Sequence, residues 1–170
     1  MKVFVETQRF NQWWFRLLII LVATISIGTI VMSYQGIQSE PVPFWISLVA
    51  GLLTLTLVLS LGFLIKLETK IDDLGIHYGF WPFYRNLKII SWSDIEKCTI
   101  RKYSPIGEYG GWGYRMGLFS KNGSALNVKG NIGIQIVFKS GKQLLIGTQK
   151  KEDVLKVFAT YNHKLKSNEN

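Results

Sequence analysis

Two long stretches of this chain carry no charge, and they limit its folding options more than anything else in it. Leu17 to Ser39 contains no Asp, Glu, Lys or Arg, and neither does Pro41 to Ile65. Each exceeds the roughly 20 apolar residues that cross about 30 Å of hydrocarbon at about 1.5 Å per helical residue. The pattern predicts transmembrane helices near Phe15–Tyr34 and Phe44–Leu67. Buried core helices are the alternative, but a core helix of that length normally keeps a charged face. A cleaved signal peptide is the second alternative. Its apolar run is about 7–15 residues, shorter than the first stretch, and no A-x-A-like site follows here, so retention is expected.

Basic residues orient the pair. Lys2, Arg9 and Arg16 precede the first helix, and Lys66 and Lys70 follow the second. The connecting "QGIQSEPVPF" has no Lys or Arg and one acid, Glu40. The positive-inside rule then puts both termini in the cytoplasm. Trp13, Trp14, Arg16, Trp45 and Lys66 fall where interfacial anchors belong. Pro41 and Pro43 suit the loop and the start of a helix, where a missing N–H is harmless.

From Lys66 onward the composition changes to charged residues and short apolar runs. "LETKI" and "IHYGF" alternate around the turn "DDLG". Pro82 interrupts, and "NLKIISW" resumes. "EKCTIRK" places Cys98 and Ile100 on one face and Lys97, Thr99 and Arg101 on the other. "MGLFS", the turn "KNG" and "SALNVKG" follow. "IQIVFK" and "QLLIGT" around "SGK" form the clearest hairpin. This spacing predicts an antiparallel sandwich or barrel. In "KKEDVLKVFATYNHKLK", Val154, Val157, Phe158, Tyr161 and Leu165 make one helical stripe. Glu152 and Asp153 in the first turn, and Lys164 and Lys166 near the end, suit the helix dipole. Such a helix is expected to plug the open end of a barrel; a membrane-surface helix is the alternative.

The stretches "IHYGFWPF", "IISWSDIEKCTIRKYSPIGEYGGWGYR" and "NIGIQIVFKSGKQLLIGTQ", followed by "KKEDVLKVF", resemble the bacterial PH-like (pleckstrin-homology-like) membrane proteins. In these a transmembrane hairpin precedes about seven strands and a closing helix. The likeness in layout covers residues 1–165 and implies a fold, not an activity. It implies an N-terminal cytoplasmic segment at 1–14, a hairpin at 15–67, a PH-like domain at 68–166 and a tail at 167–170. Two departures matter. Phe158 stands where many eukaryotic PH domains carry tryptophan. "KIDDLGIHYG" lacks the Lys/Arg cluster of phosphoinositide-binding members, so that ligand is not implied.

The most unusual stretch is "YGGWGYR" (109–115). It matches neither a Walker A loop nor a dinucleotide fingerprint. Either its glycines allow positive φ in a long loop while the aromatics pack on the domain, or Tyr109, Trp112, Tyr114 and Arg115 form an interaction surface. Residues 66–170 hold 17 Lys/Arg against 9 Asp/Glu, which favours an anionic cytoplasmic leaflet. Lys97, Arg101, Lys102 and Lys121 flank the loop, with dispersed solvated cations as the plain alternative. No nucleic-acid motif stands out, and His77 and His163 have no metal-ligand spacing. The single Cys98 makes no intrachain disulfide and reads as a small core residue. Asp72–Asp73 reads as a turn, His77 as structural, and no serine has a nucleophile context. Thr24/Gly28 and Ser47/Gly51 are small-xxx-small pairs that serve the hairpin or a homo-oligomer. The expectation is a non-catalytic, cofactor-free module of a bacterial inner membrane. It would bind lipid headgroups or a protein partner, or act as an accessory subunit of a transport or stress-response complex.

Overall fold

The computed structural model describes residues 2–10, 12–35, 44–117 and 123–166. The chain divides into two compact units, Phe10–Ile65 and Met1–Arg9 with Lys66–Asn170.

The first unit is a helix pair, α1 (Trp13–Gln35) and α2 (Phe44–Leu64). The two pack together at Gly51, where a Cβ would lie 3.3 Å from Ile30 Cδ1. α1 is long and apolar enough to cross a membrane, and none of its apolar window is buried inside the chain. Leu17, Leu21, Ile25 and Val31 on α1 are exposed, as are Val49, Leu53 and Leu57 on α2. The hydroxyls find partners within their own helices. Thr24, Thr54 and Thr56 donate to the carbonyls four residues back, at 2.7–2.9 Å, which satisfies them without water. α2 ends before the expected Leu67, because Lys66, Glu68 and Lys70 alternate with buried Leu67, Thr69 and Ile71 and open a strand.

The second unit is α+β, with two sheets and a C-terminal helix. Sheet one joins β1 (Phe4–Arg9), β2 (Lys66–Ile71), β3 (Gly75–Trp81) and β4 (Lys88–Ser91) in that order. Sheet two contains β5 (Ile95–Lys102), β6 (Gly113–Arg115), β7 (Ser124–Asn127), β8 (Ile132–Phe138) and β9 (Gln143–Gly147), in the order β5-β8-β9-β7-β6. The described residues thus hold nine strands, not about seven. Sheet two is also mixed, not purely antiparallel. β9 returns from β8 to lie beside β7, so the two run parallel, with Ser124 facing Leu144. The expected strand at 116–120 and turn at 121–123 lie largely outside the described residues.

β1 falls in what the sequence reads as an N-terminal segment. It pairs antiparallel with β2 from Phe4↔Ile71 to Arg9↔Lys66. Phe4, Glu6 and Gln8 face inward. The Glu6 carboxylate accepts from Thr148 Oγ1 at 2.6 Å and from the Gln149 N–H at 2.9 Å. Those residues lead into α4 (Lys151–Lys166), so the carboxylate meets the positive end of a helix dipole. Gln8 Nε2 donates to the Gly147 carbonyl at 2.8 Å.

α4 buries Val154, Val157 and Tyr161; the Leu165 side chain lies outside the described set. The ring of Trp92, on a 3-10 turn (Trp92–Asp94), stacks on Tyr161 at 5.6 Å and meets Phe158 edge-on at 6.3 Å. The indole N–H donates to the Asp72 carbonyl at 3.0 Å. The apolar stripe of α4 is therefore spent on the β unit. Each fully buried aliphatic side chain of such a stripe contributes about 1.5–3 kcal/mol. Leu67, Ile71, Phe80, Ile95, Leu126 and Ile134 are fully buried in the core.

Candidate functional site

The register of the β unit brings several candidate residues to one end, while Lys97, opposite Val137, lies towards the other. Arg9 faces Lys66, and Lys66 faces Trp81. Gln8 reaches Gly147, Gly147 faces Gly133, and Ile132 faces Lys102. Beyond Lys102, the Tyr103 N–H donates to the Asn131 carbonyl at 2.9 Å. The strand ends through which the chain leaves at Arg9 and returns at Lys66 thus border the loop that holds "YGGWGYR".

That loop contains a helical turn the sequence does not announce, α3 (Pro105–Tyr109). Ser104 Oγ accepts from the Gly107 N–H at 3.1 Å, and Glu108 Oε1 accepts from the Ser104 N–H at 2.8 Å. Pro105 stands at the helix start, where its missing N–H is harmless. Gly110 ends the turn at φ 70°, the left-handed cap that favours glycine. Gly111, at φ 121°, lies under the Arg115 guanidinium, and a Cβ there would be 2.8 Å from Arg115 Nη2. These glycines therefore have backbone reasons to be glycine.

The aromatics of the loop are anchors. Tyr109 is buried with Tyr103, Ala125 and Leu145. Trp112 is half-buried and donates its indole N–H to the Gly130 carbonyl at 3.1 Å. Tyr114 packs against Phe83 at 5.3 Å and Tyr84 at 5.5 Å, and its hydroxyl accepts from Tyr84 at 2.8 Å. Among the cations, Arg101 is committed. It bonds Glu108 Oε2 at 2.7 Å, the Tyr109 hydroxyl at 3.2 Å and Gln135 Oε1 at 3.0 Å. The hydrogen bond from Arg101 holds the Glu108 carboxyl below its usual range, and the same bond raises the guanidinium. Lys97, Lys102 and Arg115 are exposed, and Lys121 lies outside the described residues. In the helix pair, Trp13, Arg16 and Trp45 are exposed, while Trp14 packs edge-on against Phe10 and Phe15. Lys66 is ion-paired with Glu68 at 2.7 Å.

Sequence reasoning missed two exposed apolar tips at this end, Phe83 at 61% and Ile106 at 69% exposure. It also missed the exposed Arg85 and Lys129 beside them. A single apolar residue in a loop has no periodicity to betray it, so no pattern signal could have found these. A cavity of about 400 Å³ next to Tyr114, bordered by Tyr78, Tyr84, Ser124, Leu126 and Lys142, was equally hidden. It is assembled from five separate segments.

Elsewhere Asp72 and Cys98 are held by their surroundings. Asp72 Oδ1 accepts from the Leu74 and Gly75 N–H groups and lies 2.9 Å from His77 Nε2, while Lys70 approaches Oδ2 at 2.8 Å. Burial pushes this carboxyl up. Hydrogen bonds from Lys70, His77 and Leu74 outweigh it and hold the group well below the carboxylate range. Burial pushes the Cys98 thiol up to about 12, which removes thiolate character at neutral pH. Among the described residues no trio of His, Cys, Asp or Glu is placed to hold a metal ion.

No protein-family model, curated protein or solved structure matches this chain. The functional reading therefore rests on its own geometry.

Proposed function

We propose that this chain is an integral membrane protein. In this reading α1 and α2 form a transmembrane hairpin in a bacterial inner membrane, and the β unit is a PH-like, non-catalytic binding module on the cytoplasmic side. One observation carries the reading: none of the apolar window of α1 is buried inside the chain. An apolar helix surface that the chain itself does not bury needs lipid or a partner to cover it. The absence of Lys and Arg between the two helices, with Arg9, Arg16 and Lys66 flanking the pair, supports cytoplasmic termini.

The end of the β unit described above carries groups suited to a bilayer surface. Residues 10–12 alone separate β1 from α1, and Ile65 alone separates α2 from β2. Phe83 and Ile106 are suited to the headgroup boundary, and Arg85, Lys102 and Lys129 to anionic headgroups. The test is alkaline extraction of bacterial membranes that contain the chain, followed by protease treatment of intact and opened vesicles. The chain is expected to stay in the membrane pellet, with the β unit cleaved from the cytoplasmic side only. Release by alkali, or cleavage from the outside, overturns the reading.

A second reading makes the chain an accessory subunit that meets its partner through the hairpin. It is favoured by Gly28. Gly51 is used within the helix pair, but a Cβ at Gly28 would meet nothing within 4 Å. Gly28 therefore leaves room on α1 for a further helix.

A further inference from the structure

We propose that the outer edge of β1, with the groove between it and α4, accepts an extended acidic segment of a partner membrane protein, added to sheet one as a further strand. That the partner is a membrane protein rests on the anchoring proposed above; the strand addition itself rests on the β unit alone.

β1 is a strand of six residues whose strand partner among the described residues is β2 alone. Among the described residues, the backbone hydrogen bonds outside the strand ladders do not involve Phe4–Arg9. Its outer row of N–H and C=O groups is thus open for pairing, and proteins normally blunt such an edge with a bulge, a proline or a cover. β1 has no bulge and no proline, and α4 touches it only at its start, where the Tyr161 hydroxyl donates to the Lys2 carbonyl at 2.7 Å. Its register with β2 is unbroken from Phe4 to Arg9. The inward charge of Glu6, another common device, is neutralised as a deterrent because Thr148 and Gln149 satisfy it. The other edges are poorer templates. α4 packs against β5, β6 has three residues and β4 has four.

The groove beside this edge has a volume of about 350 Å³ and is bordered by Lys2, Val3, Val5, Lys150, Lys156 and Val157. Its three lysines face one carboxylate, Asp153, which is already 3.6 Å from Lys156. Val3 and Val5 are 51% and 60% exposed, on the outer face of the strand. An incoming strand would set apolar side chains against the valines and acidic ones towards the lysines, with main-chain bonds supplying affinity and side chains supplying choice. A second copy of this chain offers "FVETQR", which has no net negative charge, so charge favours a different, acidic strand. The Arg9 end of β1 lies within four residues of Trp13, the start of α1. A segment paired along β1 is therefore delivered close to a helix start, which suits the juxtamembrane stretch of another membrane protein.

The experiment uses the full chain in nanodiscs of neutral lipid and fluorescent synthetic peptides of alternating Glu and Val. Controls carry Lys in place of Glu, or N-methylated alternate amides that keep the charge but cannot pair as a strand. The acidic peptide is expected to bind at least about tenfold more tightly than either control. The double variant Lys150→Glu, Lys156→Glu should reverse the charge preference. Both lysines are exposed, and circular dichroism checks that the variant folds. No binding of the acidic peptide overturns the proposal, as does equal binding of the N-methylated one. A dimer of the chain that excludes the peptide does so too. Vesicle flotation reads the anchor separately. Binding without flotation sinks the membrane reading and spares the edge; flotation without binding does the reverse.

Discussion

Asp72 shows how one side chain can tie a turn to two elements. Its carboxylate closes the β2–β3 turn, while its carbonyl receives the indole of Trp92. Because its folded pKa is depressed, its contribution to stability is fully present above the ordinary carboxylate pKa of about 4. That contribution fades as pH falls towards the folded value. Asp72→Asn should therefore lower stability at neutral pH and flatten the acid limb of the stability profile below about pH 4. Chemical denaturation of the two proteins across pH, followed by tryptophan fluorescence, checks this; parallel acid limbs would show that Asp72 is not the group that titrates. The sequence announced Asp72 as a turn residue because the Asp–Asp–Leu–Gly pattern is local chemistry. Tyr109 and Trp112 were ambiguous for the opposite reason. Their partners, Gln135 and Gly130, are far away in sequence.

Among the elements, the legible ones are those whose pattern is self-contained. The helices α1 and α2 follow from unbroken charge-free runs. The β8–β9 hairpin follows from alternation around a glycine turn, and α4 from its stripe. β1 was hidden because its inward positions include Glu6 and Gln8, so "FVETQR" does not read as a buried face. α3 was hidden because five residues are too few for a period. The parallel pairing of β7 with β9 is decided by which strand β9 returns beside, and nothing local encodes it. The polar side chains that obscured β1 are what hold it. Glu6→Ala removes the acceptor for both Thr148 and Gln149 just ahead of α4. Hydrogen bonds to charged groups are worth about 1.5–3 kcal/mol each, and part of the loss returns as hydration. A destabilisation of about 2–3 kcal/mol is expected. Hydrogen exchange should show it in the first turn of α4 as well as in β1. Exchange confined to β1 would mean that Glu6 does not cap the helix.

At the scale of the whole molecule, the chain leaves the β unit at Arg9 and re-enters it at Lys66, and these two residues face each other across a strand pair. In sequence the helices lie between β1 and β2; in topology they occupy the place of a hairpin turn. Deleting residues 10–65 and joining Arg9 to Lys66 through Asn-Gly, a pair that closes antiparallel strands with the right twist, should yield a water-soluble, folded β unit. Size-exclusion chromatography and a cooperative thermal transition would check it; an aggregate would mean that the β unit depends on its helices. The same topology orders events during synthesis. β1 is made before β2 but waits for it until both apolar helices have been made, so this strand pair can close only after the helices are complete. On the membrane reading proposed above, a chain whose helices fail to insert is expected to leave β1 unpaired and open to proteolysis.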